Sequence, residues 1–229
     1  MTTILEVALL GGFLCLDRVT LQTMISRPVM LGPLIGLFLG DPQTGIVIGA
    51  NMELLWIDRV PVGAYTPPND SIAAVVAAGI AILVGKSLGG ATPALIALTV
   101  LIVAPIALVG QWVDRALAKS NDRLADDFET CIEAGDLSCL SRLQMRALAA
   151  HFLAVFAFIV IFMAAGLWII EALYIRLSPA ILRGLSRAYC LIPAVGVAVA
   201  LTTIKVRGAI PLFAGTLVIA VLVREYLVR

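Results

Sequence analysis

The lengths of the apolar runs constrain this 229-residue chain more than any other feature of its sequence. A helix that crosses the hydrocarbon core of a bilayer, about 30 Å thick, needs about 20 apolar residues. Runs 87–110 and 152–170 reach that length. Six others hold only 13 to 15 residues, namely 3–16, 28–40, 44–57, 71–85, 190–204 and 209–223. Short interrupted runs indicate re-entrant or discontinuous helices, because irregular backbone persists at membrane depth only against protein or a wet cavity.

Composition agrees with a membrane location. The chain is 61% hydrophobic and 14% charged, whereas soluble domains carry about 25% charged residues. We therefore expect an all-α polytopic membrane protein with several short or discontinuous (re-entrant) helices plus longer spanning helices, forming a single integral membrane transport domain over 1–229. The N-terminal run is expected to remain as the first membrane segment. A net charge of +1 without one long basic cluster argues against nucleic acid as a partner.

Cysteine and histidine usage indicates neither a metal site nor a disulfide scaffold. The cysteines lack the close paired spacing of a zinc site and are too scattered for a disulfide framework, so we expect free thiols at Cys15, Cys131, Cys139 and Cys190. His151, the only histidine, follows a polar region and is expected to be interfacial. No metal or cofactor is expected.

Glycines at four-residue spacing predict a tight helical hairpin. They occupy positions 32, 36 and 40, then 45 and 49, and Glu53 continues the second series. This spacing places each set along one helix face, where small residues let neighbouring backbones approach closely. Between the two series, Gly40 is expected to end one helix, Asp41 to cap the next and Pro42 to begin it.

Glu53 therefore lies on the packed face of the hairpin. A carboxylate within an apolar membrane segment costs roughly 2.5 kcal/mol or more unless it is solvated, paired or protonated. Three explanations remain open at this point: pairing with Arg59 or Arg27, exposure at a membrane surface, and a role in binding substrate or an ion.

The residues after Glu53 supply further polar groups. Pro67 and Pro68 end any preceding helix, and Asn69, Asp70 or Ser71 could cap the next one. The start of that helix could converge with Asn51 and Glu53, with the aromatic residues Trp56 and Tyr65 nearby in sequence. Carboxylates, amides and an aromatic face together form an inventory suited to a sugar, although both aromatic residues are also typical of membrane interfaces.

The run "GDPQTGIVIGANMELLWI", followed by "VGAYTPPND" and a small-residue helix, resembles the membrane C subunit of mannose-type (mannose, fructose, sorbose) sugar phosphotransferase systems. The segment "RGLSRAYCLIPAVGVAVAL" also fits this family. The most specific part of the resemblance is the hairpin motif formed by Gly40, Asp41, Thr44, Gly45, Gly49 and Glu53.

The resemblance implies a multi-pass subunit of the bacterial cytoplasmic (inner) membrane that translocates a hexose-type sugar. Such a subunit forms the sugar pathway with a membrane D subunit in an oligomeric assembly. Cytosolic A and B components relay phosphate from phosphoenolpyruvate. It carries no phosphohistidine of its own. Carried over to this sequence, Glu53 contacts the sugar and the "PPND" segment helps to form the site through Asn69 or Asp70.

Residues 111–151 form the one long polar region, with seven acidic and five basic residues. Their spacing predicts a polar loop or surface helix, and the basic residues favour the cytoplasmic side. A second basic cluster comprises Arg176, Arg183 and Arg187. Two other functions remain open: an ion-coupled carrier that uses Glu53 and Asp70 as a relay, and a non-transporting scaffold or regulator of the same family.

Overall fold

The computed structural model describes residues 1–59, 62–63, 65–204 and 208–227, without the side chains of residues 123, 203, 204, 224, 225 and 227. These parts contain α-helices and no β-strand, which confirms the expected all-α class. The helices are α1 (Thr2–Cys15), α2 (Pro28–Leu39), α3 (Pro42–Trp56), α4 (Asp70–Ser87), α5 (Pro93–Val103), α6 (Ile106–Glu133), α7 (Leu137–Arg176), α8 (Pro179–Ile204) and α9 (Ala209–Leu227). One 3-10 turn, Leu16–Arg18, follows α1.

The predicted hairpin is formed by α2 and α3. Gly40 ends α2 in the left-handed conformation with φ of 75°, and the Asp41 side chain accepts a hydrogen bond of 3.1 Å from the Thr44 N–H. A Cβ atom placed on Gly36 would lie 3.1 Å from the Cα of Gly45, so the two backbones are nearly in contact. The two helices have 12 and 15 residues, about 18 and 22 Å long, which is short of a full crossing.

Helix α4 is the centre of the bundle. It contacts α1, α2, α3, α5, α6 and α7, and every residue from Ser71 to Ile82 is buried. Its sequence is apolar on all sides and rich in alanine, as a helix surrounded by other helices requires. The hairpin is therefore held against a rigid central element whose first residue, Asp70, belongs to the predicted polar segment.

Four helical stretches of the described chain are long and apolar enough to cross a membrane: Asp70–Ser87, Pro93–Glu133, Leu137–Arg176 and Pro179–Thr202. The crossing expected over 87–110 has different bounds, because α4 continues to Ser87 and a proline break at Pro105 separates α5 from α6. The short run expected over 190–204 belongs to a longer helix, because the basic segment before it is also helical. Residues 205–207, which separate the last two runs, lie outside the described residues.

The polar region 111–151 consists of two helical segments joined by a short turn. The polar part of α6 packs against the first part of α7, and residues Ala134–Asp136 connect them. We call this antiparallel pair the polar hairpin. Its base lies at the end of the bundle where α1 ends, because Val19 and Leu21 line a cavity together with Asn121 and His151.

Cys131 and Cys139 form a disulfide across the turn of the polar hairpin, with Cα atoms 5.8 Å apart. The expectation of free thiols is therefore wrong for this pair, while Cys15 and Cys190 are free. The two cysteines are eight residues apart, a spacing that did not indicate a disulfide. They pair because the turn between the antiparallel helices α6 and α7 brings Cys131 and Cys139 next to each other.

The two basic clusters lie at opposite ends of α7. Arg142 and Arg146 lie near its beginning, and Arg176 is its last residue. Since one 40-residue helix separates them, about 60 Å in length, the positive-inside rule cannot place both clusters on the cytoplasmic side.

Candidate functional site

A polar cavity of about 160 Å³ lies at one end of the bundle, where α1 and α3 end and α2 and α4 begin. It has this position because the hairpin returns the chain to the end at which α1 finished. Its lining combines cationic, acidic, aromatic and proline side chains: Arg18, Ser26, Arg27, Trp56, Arg59, Pro67, Pro68 and Asp70. We call this space the polar cavity.

Glu53 borders the polar cavity through its partner, Arg27. The Glu53 Oε1 lies 3.2 Å from Arg27 Nη1, and Oε2 accepts a hydrogen bond of 3.4 Å from the Val29 N–H. The Glu53 side chain is 15% exposed. Of the two arginine partners considered from the sequence, Arg27 is the one observed, because Arg59 pairs with its neighbour Asp58 at 3.2 Å. The Glu53 carboxylate is thus paired with the Arg27 guanidinium group and is not an unpaired charge in the membrane segment.

Asp70 contributes the second carboxylate, directly on the cavity wall. Its Oδ1 accepts hydrogen bonds from Arg18 Nη1 at 2.9 Å and from the Ser71 N–H at 3.0 Å. Arg18 reaches further, because the same nitrogen lies 3.3 Å from Ser71 Oγ and 3.5 Å from Asn69 Oδ1. The end of α1 and the start of α4 are therefore joined by one guanidinium group.

Asn69 is turned into the protein and caps α4. Its Oδ1 accepts a hydrogen bond of 3.1 Å from the Ile72 N–H, and its Nδ2 donates to both carboxylate oxygens of Asp114 at 3.1 and 3.0 Å. The residue is only 2% exposed and does not line the polar cavity. Of the two residues considered for the "PPND" segment, Asp70 is the one that faces the cavity.

The remaining sequence candidates divide between interior and surface. Asn51 is 3% exposed within α3 and does not line the polar cavity. The Trp56 ring lines it, and its buried Nε1–H has no acceptor among the described residues. Tyr65 is 41% exposed. The structure therefore places Trp56 and Asp70 on the cavity wall. Glu53 is not itself on the wall but forms an ion pair with Arg27, which is.

Two partners of this site were not identified from the sequence. Arg18 lies two residues beyond the end of the apolar run 3–16. Asp114 lies in the polar part of α6, three residues beyond Gln111, whose side chain donates a hydrogen bond to the Thr66 carbonyl. Gly110 packs on Asn69, where an added Cβ would lie 2.8 Å from the Asn69 Cβ. A charge at the end of an apolar run was the available signal for Arg18. Nothing local marks Asp114 as the partner of a residue 45 positions away.

Asp17 organises the segment that leads from α1 to Arg27. Its Oδ1 accepts hydrogen bonds from the Thr23 N–H at 2.8 Å and the Thr23 hydroxyl at 2.7 Å, and its Oδ2 accepts from the Ser26 N–H and hydroxyl, both at 3.2 Å. The hydrogen bonds from Thr23 and then Ser26 lower the pKa of Asp17 to about 2. This ionised carboxylate fixes the loop that presents Ser26 and Arg27 to the cavity.

Short helices in a hairpin, a fully buried central helix and a polar cavity among apolar helices define a multi-pass membrane protein of the transport class. The family described as PTS system sorbose-specific IIC component matches residues 1–228. The chain belongs to this family of sugar transport components of the phosphotransferase system, as its hairpin motif indicated.

Several relatives agree with this membership. The chain is 44% identical over 70 residues to N-acetylgalactosamine permease IIC component 2 of Escherichia coli K12, covering 31% of this chain and 53% of that protein. It is 23% identical over 200 residues to the mannose-specific EIIC component of the same strain, covering 84% and 70%. The sorbose-specific EIIC component of Klebsiella pneumoniae is 28% identical over 195 residues, covering 82% and 68%. The chain thus spans about half the length of the first of these relatives.

Two solved structures share the fold. One, titled as the structure of a membrane protein, superposes with a TM-score of 0.71 at 20% identity, covering 96% of this chain and 85% of that chain. The other is a mannose transporter ManYZ in complex with microcin E492, with a TM-score of 0.60 at 21% identity and the same coverage. At these identities the likeness concerns the fold alone.

Proposed function

We propose that this chain is the sugar-translocating C subunit of a phosphoenolpyruvate-dependent mannose-type phosphotransferase system in the bacterial inner membrane. It forms the sugar pathway with a membrane D subunit, while cytosolic A and B components supply phosphate. The observation that carries the proposal is the polar cavity at the junction of the glycine hairpin and α4, within a chain of this family. The substrate is a hexose-type sugar, in keeping with relatives named for mannose, sorbose and N-acetylgalactosamine.

The carboxylates of Glu53 and Asp70 receive the sugar hydroxyls in this proposal. Each is paired with an arginine at 3.2 and 2.9 Å respectively, so each site offers an acceptor beside a donor. A sugar hydroxyl can donate a hydrogen bond to the carboxylate and accept one from the neighbouring guanidinium group. The Trp56 ring supplies an apolar wall for the pyranose.

Asn69 and Asn51 support the site from behind. Asn69 positions Asp70 by capping α4 and by holding Asp114, and Asn51 is buried in the helix that carries Glu53. The hairpin residues have the same indirect role, because the close approach of the two helices determines where Glu53 lies at the end of α3. We infer that Asp70 contacts the sugar on the cavity wall, that Glu53 contacts it beside Arg27, and that Asn69 acts indirectly by positioning the start of α4.

In this proposal the basic residues of the polar hairpin place the cavity's end of the bundle on the cytoplasmic side. The cavity lies at the end of the bundle from which the polar hairpin extends, since Asn69 at the start of α4 bonds to Asp114 of α6. A sugar released at this end meets the polar hairpin first. This surface is our candidate for the docking site of the B component.

The test is sugar phosphorylation by membranes that contain this chain, its D partner and the phosphorylated B component. We expect Glu53→Gln to lower the rate by about 10- to 100-fold, which corresponds to losing a charge-assisted hydrogen bond worth about 1.5–3 kcal/mol. Glu171→Gln is the matched control, because Glu171 accepts a hydrogen bond from Ser87 at the other end of α4. We expect this variant to retain activity.

The two alternative functions predict different results. Transport driven by an ion gradient in liposomes that contain this chain alone would indicate a coupled carrier. Stable complex formation without sugar binding, unchanged by Glu53→Gln, would indicate a scaffold. Thermal unfolding of Glu53→Gln must remain within a few degrees of the wild type, so that loss of the Arg27 ion pair is not mistaken for unfolding.

A further inference from the structure

The polar hairpin carries an apolar stripe that the described structure leaves open. Leu124, Phe128 and Ile132 recur every four residues along α6, so they lie on one side of that helix. Phe128 is 37% exposed and Ile132 is 61% exposed. Large apolar side chains that are exposed side by side on a charged helix are typical of a surface that binds another molecule.

The stripe forms one wall of a groove between the two helices of the hairpin. The groove has a volume of about 1050 Å³, and Leu143 and Ala147 of α7 line its other wall. These two residues are also four positions apart, so apolar side chains follow both helices along the groove. A groove with apolar walls of this kind fits the apolar face of a third helix.

The charged part of the groove lining is acidic. Glu129 and Glu133 line the groove from α6, one turn apart, and its described lining contains no basic side chain. Neither glutamate belongs to an ion pair among the described residues. Arg142 and Arg146 of α7 line a different cavity of the hairpin. Both carboxylates are therefore available to cations of a molecule that fills the groove.

This charge decides between two kinds of occupant. The cytoplasmic surface of a membrane is negatively charged and would repel the two glutamates. A protein helix whose apolar face is flanked by lysine or arginine would be attracted to them, and opposite charges across an interface also speed the encounter. The groove lining therefore favours a protein partner with an apolar stripe and basic flanks.

We propose that this groove is the docking site of the phosphoryl-carrying B component, which presents a helix with an apolar face and basic flanks. The inference rests on the proposed function for the identity of the partner, and it narrows the docking surface from the whole polar hairpin to one groove. Helix α6 also connects the groove to the sugar site, because Asp114 accepts hydrogen bonds from Asn69 at the start of α4. A docked donor is thus held by the helix that contacts the sugar site.

Binding of the purified B component to the full chain and its D partner in lipid nanodiscs tests the site, with biolayer interferometry as the measurement. Ile132→Lys places a cation on the apolar stripe, and we expect it to raise the Kd about tenfold or more. Met145→Lys is the matched control, because Met145 is 62% exposed and does not line the groove. We expect the control to change the Kd by less than about twofold.

The salt dependence of binding tests the acidic lining. We expect the Kd of the wild type to rise with ionic strength, because salt screens the attraction between the glutamates and the basic flanks. Glu129→Gln should reduce this dependence. Asp126→Asn is the control, because Asp126 is exposed on the same helix and does not line the groove. Equal salt dependence in the two variants would contradict the role of Glu129.

Phosphorylation kinetics separate docking from sugar binding. Ile132→Lys should raise the KM for the B component about tenfold and leave kcat within about twofold, because the sugar site is intact. Glu53→Gln should instead lower the rate even at saturating B component. A fall in kcat for Ile132→Lys without a change in KM would overturn the docking role.

A photocrosslinking residue, p-benzoylphenylalanine, at position 132 identifies the occupant of the groove. Crosslinks to the B component support the inference, whereas crosslinks to the D subunit, to a second copy of this chain or to lipid alone would overturn it. If sugar is phosphorylated in a Glu53-dependent way and Ile132→Lys leaves B binding unchanged, the proposed function stands and the groove fails. If the B component binds in the groove but no sugar phosphate forms, the groove stands and the proposed function fails.

Discussion

Replacing Gly32 by alanine tests whether close backbone contact holds the hairpin together. A Cβ on Gly32 would lie 2.7 Å from the Gly49 Cα and 2.9 Å from the Gly49 nitrogen, with the Gly45 carbonyl oxygen nearer still. Carbon atoms in contact are normally about 3.5–4.0 Å apart, so the two helices would have to separate by about 1 Å. The obstructing atoms are backbone, which cannot rotate away as a flexible side chain can.

The expected cost follows from this geometry. Overpacking costs about 1–3 kcal/mol, and contact with backbone places Gly32→Ala near the upper end. Alanine recovers about 1 kcal/mol of helix propensity, which leaves a net loss of about 2 kcal/mol. For a chain of this size the loss corresponds to a fall in Tm of about 4–8 °C.

Thermal unfolding of the purified protein in detergent, followed by circular dichroism, measures this change. Gly215→Ala is the matched control, because a Cβ there meets nothing within 4 Å and α9 is also helical. We expect its Tm to be unchanged or higher. A Tm for Gly32→Ala equal to that of Gly215→Ala would refute the packing argument.

Three further predictions concern the caps and loops around the site. Asp41→Ala removes the cap of α3 and should cost about 1 kcal/mol in thermal unfolding, whereas Asp41→Asn should retain most of it; equal losses would contradict the capping role. Asn69→Ala removes the cap of α4 and both donors to Asp114, so we expect a larger loss of about 2–4 kcal/mol, and a loss no greater than that of Asp41→Ala would contradict it. Because the pKa of Asp17 is lowered to about 2, its stabilisation of segment 19–27 is present above the ordinary Asp pKa and is lost as the pH falls from about 4 through 2. Hydrogen exchange in this segment should rise over that range in the wild type and be independent of pH in Asp17→Asn after correction for the intrinsic rate; matching profiles would refute the assignment.

The hairpin could be predicted because its signals are local. Gly40, Asp41 and Pro42 act on the helix ends next to them, and the glycine series places small residues on one face at a fixed spacing. The structure confirms each of these elements. The identity of the α4 cap was also within reach, and Asn69 was one of three candidates.

Other boundaries were harder to predict because polarity and helix formation are separate properties. The basic segment before residue 190 is polar, yet it forms the first part of α8, because arginine and leucine are good helix formers. The pairing of Cys131 with Cys139 depends on the direction of two helices after their turn. Their spacing alone contains no information about that direction.

The sequence by itself determined the membrane class, the glycine hairpin, its caps and the presence of an acidic residue on the packed face. These properties depend on composition and on interactions within about four residues of the chain. The tertiary structure decided that Glu53 pairs with Arg27, that Arg18 joins Asp70, and that Asn69 turns inward to Asp114. Such partners lie 26 to 52 residues apart, at distances that only the packing of helices around α4 can determine.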